Sequence, residues 1–279
     1  MEHFGARLRA ALDERGPLCV GIDPHPALLS AWGLADDPDG LARFADTVVA
    51  ALGDRVAVIK PQSAFFERHG SRGIAVLEST IRQLRDTRAI CLLDVKRGDI
   101  GSTVEAYAQA YLDPSSPLYV DAVTASPYLG FGALRPMIDT ALANGGGVFV
   151  LALTSNPEGA GIQRARTPDS RTVAQLLIDE ISQVNAGVTP LGSIGAVVGA
   201  TVDPTGHDLH RLGGPILAPG LGAQGATPDR LRALTGGGRS AVLPAYSREV
   251  LAHGPSVAGL RQAADRALAA CAAALRAAA

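Results

Sequence analysis

The sequence predicts an α/β fold: a single (β/α)8 barrel of the TIM type over residues 1–279, with an N-terminal helix and a long C-terminal helix added. Three observations point there. Eight short, near-continuous apolar runs recur along the chain, and such runs suit parallel strands covered on both faces. Segments of helical spacing separate them. A length of 279 residues suits one such barrel, and no linker or second domain is visible. A doubly wound open sheet is the alternative, weakened because no G-x-G-x-x-G follows the first strand.

Taken in order, Phe4, Leu8 and Leu12 have helical spacing, and Gly16-Pro17 stops that helix. Leu18 to Asp23 reads as the first strand, after which Pro24 and Pro26 break the chain. Leu41, Phe44, Val48 and Leu52 mark a helix before the second strand, Val56 to Lys60. A helix through Ile74, Leu77, Ile81 and Leu84 leads to the third strand, which starts at Ala89 and carries Asp94-Val95-Lys96-Arg97-Gly98-Asp99-Ile100 at its end. Val104, Ala108, Tyr111 and Leu112 mark the next helix, and Ala122 to Pro127 the fourth strand. Phe131, Leu134, Ile138 and Leu142 precede the fifth strand, Gly147 to Thr154. A long polar loop is expected from Ser155 to about Ser170, then a helix through Val173, Leu177 and Ile181. Ile194 to Thr201 is the sixth strand, followed by a short helix expected near Asp208 to Leu212. Pro215 to Gly220 is the seventh, and Thr227-Pro228 predicts a hydroxyl-capped helix after it. Ala241 to Ala245 is the eighth, and the last helix starts near Ser256.

The composition excludes several function classes. Hydrophobic residues make up 47% and charged residues 19%, so a large core is available, while a net charge of −2 without a basic run argues against a nucleic-acid or membrane surface. No run of 18 apolar residues occurs. The segment after Met1 does not read as a signal peptide. Cys19, Cys91 and Cys271 are scattered through apolar segments and read as buried thiols in a reducing compartment, the cytoplasm.

The chemistry concentrates at strand ends, where a barrel of this type builds its site. Asp23, Lys60, Asp94, Lys96 and Ser126 end the first four strands. Side chains two apart on a strand share a face, so Asp94 and Lys96 are expected to meet. Such crowding costs free energy unless the charges are paired or used. A structural ion pair is the bland reading of a lone D-x-K. It loses ground here because Gly220-Leu221-Gly222-Ala223-Gln224-Gly225 and Ser247-Arg248 follow strands seven and eight, a recurrent phosphate rim in these barrels. A phosphorylated substrate is therefore expected. Gln224, in that Gly-rich stretch, is a candidate ligand for such a substrate, with a surface-loop role as the alternative. His25, between two prolines, reads as loop structure; His69, His207, His210 and His253 show no metal spacing, and Arg164, Arg166 and Arg171 read as solvated.

At this point Asp94-x-Lys96-x-x-Asp99-Ile100-x-x-Thr103 resembles the signature of the orotidine 5′-phosphate decarboxylases, and the resemblance spans the whole barrel. The Lys96-Arg97-Gly98 insert, the long loop after strand five and Pro244 to Arg248 look like the divergent bacterial branch (type 2) of that family. The common branch carries Gly-Arg at the eighth strand, whereas here Ser247 precedes Arg248. The resemblance implies conversion of orotidine 5′-phosphate to UMP and carbon dioxide without metal or cofactor. It implies Lys96 as proton donor, held and kept charged by Asp94, with Lys60 and Asp99 extending a Lys–Asp chain. It also implies Asp23 on the ribose, Ser126 on the pyrimidine edge and Arg248 on the phosphate. Finally it implies a homodimer in which Asp99 and Thr103 complete the neighbouring subunit's site.

Three rivals remain for the sequence alone. A metal-dependent sugar-phosphate enzyme of related barrel type would want a carboxylate at the second strand end, where Lys60 stands. A Schiff-base aldolase needs a lysine that can lose its proton, against two nearby Asp residues. A non-catalytic nucleotide-phosphate barrel has little reason to crowd charges on three strand ends.

Overall fold

The computed structural model describes residues 2–222, 225–235 and 241–276. Helix α1 (Phe4–Arg15) precedes β1 (Cys19–Ile22), and α2 (Pro26–Ala31) and α3 (Pro38–Leu52) lead to β2 (Val58–Pro61). Next come α4 (Ala64–Glu67), α5 (Gly70–Arg85), β3 (Ile90–Arg97), α6 (Gly101–Leu112) and β4 (Ala122–Ala125). Then follow α7 (Arg135–Ala143), β5 (Gly147–Leu153), α8 (Ala160–Gln163), α9 (Val173–Asn185), β6 (Ile194–Val198) and β7 (Pro215–Pro219). Last are α10 (Arg232–Thr235), β8 (Ala241–Tyr246), α11 (Arg248–Leu251) and α12 (Val257–Arg276). The strands pair in parallel in chain order, and β8 returns to β1 through Cys19↔Ala245 and Val20↔Tyr246, closing the barrel.

The strand pleat sorts side chains into two cores. Inward residues Cys19, Val58, Leu92, Ala122, Phe149, Leu217 and Leu243 fill the barrel. Outward residues Val20, Ile22, Ile59, Leu93, Val123 and Val150 pack under the helices. Helix α1 closes the N-terminal end of the barrel. Phe4 and Leu8 join the inner core, and the Phe4 ring meets Phe149 edge-on at 6.0 Å between centroids. Gly147 makes that plug possible, since a Cβ there would lie 2.4 Å from the Phe4 ring.

Four expectations differ from the structure. Pro26 starts α2 rather than breaking the chain, because proline suits the first helical position. The polar loop after β5 folds into a 3-10 turn at Pro157–Gly159 and into α8. No helix forms at 208–212, where Asp208 Oδ1 instead accepts from the His210 N–H in a local turn. Thr227 precedes a 3-10 turn, Pro228–Leu231, and its hydroxyl makes no capping hydrogen bond.

Candidate active site

Inward parity continues up each strand, and at the C-terminal mouth the inner layer turns from apolar to polar. Lys60 follows Val58 by two residues, Asp94 follows Leu92 and Thr124 follows Ala122. All three are buried, and all line a cavity of about 400 Å³ together with Asp23, His25, Gln62, Lys96, Thr154, Ser155, Gly220, Tyr246, Ser247 and Arg248.

Asp94 is the hub. Its Oδ2 accepts from Lys60 Nζ at 2.8 Å and from Gln62 Nε2 at 3.1 Å. Its Oδ1 accepts from Lys96 Nζ at 2.6 Å and from Thr124 Oγ1 at 2.9 Å. Burial alone would raise the Asp94 pKa, but Lys60 and Lys96 outweigh it and hold the carboxyl well below the usual range. Burial likewise works to lower the Lys60 pKa, but Asp94 and then Asp23 push it above the usual lysine value. One carboxylate thus holds two ammonium groups at hydrogen-bond distance and keeps the buried Lys60 charged.

Asp94 and Lys96 do meet as expected, but not through a regular pleat. The β3–β4 register breaks between Leu93 and Arg97, and Lys96 adopts a left-handed backbone at φ 45°. Its side chain is 46% exposed, against 8% for Asp94, so the ammonium reaches into the cavity mouth. Gly98 then runs so close to β4 that a Cβ would lie 2.1 Å from the Ser126 carbonyl oxygen.

The other expected site residues divide. Asp23 and Arg248 line the cavity. Asp23 Oδ1 and Ser247 Oγ are buried without a hydrogen-bond partner among the described residues. Ser126 does not line the cavity; its hydroxyl donates to the Lys96 carbonyl at 3.0 Å. Asp99 and Thr103 also stay off the cavity wall of their own chain, and Asp99 Oδ1 accepts from the Ile100 N–H at 2.8 Å. Gln224 lies outside the described residues. Arg171 pairs with Asp169 and Asp179, and neither it nor Arg164 or Arg166 lines the cavity.

Four cavity-lining residues, Thr124, Gln62, Ser155 and His25, lie outside the site expected from the sequence. Thr124 had a signal, being a polar residue at an inward position of an apolar strand. Gln62 and Ser155 stand just past the ends of β2 and β5 and had only their strand-end position to offer. His25 was read as loop structure; its ring packs on Phe65 at 4.3 Å and it lines the cavity. No group of three or more His, Cys, Asp or Glu able to hold a metal occurs among the described residues.

Comparison with known proteins places this arrangement. Residues 16–263 match the model of the orotidine 5′-phosphate decarboxylase / HUMPS family. A curated orotidine 5′-phosphate decarboxylase from Salinispora arenicola is 74% identical over 275 residues, covering 99% of both chains. One from Streptomyces coelicolor is 58% identical over 267 residues, covering 95% of this chain and 96% of the relative. A crystal structure from Streptomyces avermitilis superposes with a TM-score of 0.95 at 57% identity, covering 99% of this chain and 97% of that one. The Leishmania donovani OMP decarboxylase superposes at 0.75 with 28% identity, covering 98% of each chain.

Proposed function

From the premise that the chain belongs to the orotidine 5′-phosphate decarboxylase / HUMPS family, we propose how its cavity performs the reaction. The activity is carboxy-lyase: orotidine 5′-phosphate is converted to UMP and carbon dioxide in pyrimidine biosynthesis. The bond from C6 of the pyrimidine to the carboxylate breaks, and its electron pair stays on C6 with no adjacent carbonyl to take it up. Lys96 Nζ stabilises that charge and then transfers its proton to C6; solvent restores the proton to the lysine. Asp94 aims Lys96 and keeps it charged, and Lys60 balances Asp94 from the other side. The observation that carries this reading is the Lys60–Asp94–Lys96 chain, with contacts of 2.8 and 2.6 Å on the cavity wall.

The remaining groups divide the substrate between them. The unpartnered Asp23 Oδ1 suits a ribose hydroxyl, an otherwise orphaned acceptor being costly to bury. Arg248, with Ser247 and the Gly220 backbone, faces the rim where the phosphate goes. Ser155, which lines the cavity where Ser126 does not, suits the pyrimidine edge. The reading calls for no metal, because Lys60 occupies the strand end where a divalent ion would want a carboxylate. The acceleration required is on the order of 20 kcal/mol. One ammonium cannot supply that, so phosphate binding energy must contribute.

We read the chain as one barrel domain, working in the cytoplasm as a homodimer in which Asp99 and Thr103 complete the neighbour's cavity. Support for the dimer is that Ile100, next to Asp99 in the chain, is 61% exposed, and that Tyr128 and Leu129, just past β4, are 79% and 53% exposed. The three buried free thiols suit a reducing compartment.

The test follows the substrate absorbance in the presence of EDTA. Wild type should turn over unaffected by the chelator. Lys96→Ala should lose roughly 100- to 10,000-fold or more in kcat while still binding UMP. Lys96→Ala at the wild-type rate would remove the lysine from the chemistry.

A further inference from the structure

We propose that Thr124 is a positioning residue for decarboxylation, setting both the backbone and the counter-ion of Lys96 through one hydroxyl. The proposal rests on Lys96 being the proton donor. The β3–β4 ladder pairs Leu92 with Ala122 and Leu93 with Val123, then resumes only at Arg97 and Ala125. Across that gap Asp94, Val95 and Lys96 stand opposite Thr124 alone. A regular ladder would satisfy the Lys96 N–H with a β4 carbonyl; here it donates to Thr124 Oγ1 at 2.9 Å. The same hydroxyl donates to Asp94 Oδ1 at 2.9 Å, the oxygen that also holds Lys96 Nζ.

The direction of this relay is forced. An amide N–H can only donate and an ionised carboxylate can only accept, so the hydroxyl between them must accept from one and donate to the other. Thr124 is 1% exposed, and its β-branched side chain has few rotamers, so the relay is rigid. Lys96 is one of two described non-glycine residues with positive φ, a conformation its own side chain does not favour. The Ser126 hydroxyl on the Lys96 carbonyl and the Ser126 N–H on the Arg97 carbonyl, at 3.0 and 2.9 Å, hold the far side of the same bend. Among the described residues Thr124 alone hydrogen-bonds both the Lys96 backbone and the Asp94 carboxylate, so losing its hydroxyl uncouples the ammonium from a fixed origin. Lys96 then samples positions away from C6.

Thr124→Val is close to isosteric and removes only the hydroxyl; Thr124→Ala is the second variant and carries the same test if the valine protein does not fold. Steady-state kinetics, calorimetric UMP binding and circular dichroism are measured on the full chain beside Lys96→Ala. Both Thr124 variants should lose roughly 10- to 100-fold in kcat, with KM and UMP affinity within about twofold of wild type. Thr124→Ser should restore kcat to within about threefold. A folded Thr124→Val or Thr124→Ala with wild-type kcat, or a loss confined to KM, overturns the proposal. Lys96→Ala at the wild-type rate would instead overturn the reading on which it rests.

Discussion

Asp94 carries more of the site's electrostatics than its single charge suggests, because two ammonium groups depend on it. Replacing it by asparagine leaves Lys60, with a side chain only 9% exposed, without its counter-charge. Removing one partner of a buried pair costs about 3–5 kcal/mol. The pH dependence follows from the directions of the shifts. Burial opposes the charge on Asp94, but Lys60 and Lys96 depress its pKa, so its contribution is complete above the ordinary carboxylate value and fades as pH falls through the folded one. Lys60 has a raised pKa, so its contribution is complete below the ordinary lysine value and fades as pH rises beyond it. Between about pH 4 and pH 10 both are intact. The urea midpoint of Asp94→Asn should therefore lie below wild type at neutral pH, and the gap should close on acidification below about pH 4. A gap that stays constant down to pH 3 would show that Asp94 acts through packing rather than charge.

At the scale of elements, the barrel separates a structural end from a chemical one. Helix α1 closes the bottom, with Phe4 1% exposed against Phe149 and Gly147. Phe4→Ala should cost about 3–5 kcal/mol of stability, since the ring leaves a cavity that the closed sheet cannot collapse. The kcat of the folded variant at 25 °C should match wild type, because the polar layer lies at the opposite mouth. Thermal unfolding and steady-state rates on one preparation check both halves; a matching fall in kcat would mean the plug sets the geometry of the upper layer. Periodicity located this helix correctly, because Phe4, Leu8 and Leu12 have one face to bury. It could not foresee the register break in β3, since Asp94-Val95-Lys96 reads as continued strand. The break depends on what β4 places opposite.

For the whole molecule, the question is whether one chain holds a complete site. Asp99 and Thr103 lie off their own chain's cavity wall, next to the exposed Ile100. On the proposed homodimer reading, Lys96→Ala and Asp99→Asn should each be inactive alone. Mixed and allowed to exchange subunits, they should recover roughly one quarter of wild-type activity, because each mixed dimer contains one intact site. No recovery, with exchange shown by mass-tagged subunits, would place Asp99 in its own subunit's site.

The barrel and the floor of the site are legible in the order of the amino acids. Eight apolar strands needing cover on both faces leave few architectures, and the pleat sends Lys60 and Asp94 inward whatever their neighbours are. Which hydroxyls join them depends on the packed barrel. Ser126 looked like the strand-end hydroxyl, but the bulge in β3 brings Lys96 back over β4, turning Ser126 to the Lys96 carbonyl and Thr124 to the Lys96 N–H and Asp94. His25, Gln62 and Ser155 reach the cavity because closure between β8 and β1 draws distant strand ends into one ring. Strand-end chemistry is written locally, residue by residue. Which strand ends face one another depends on register and closure, and those are set by packing across the whole barrel.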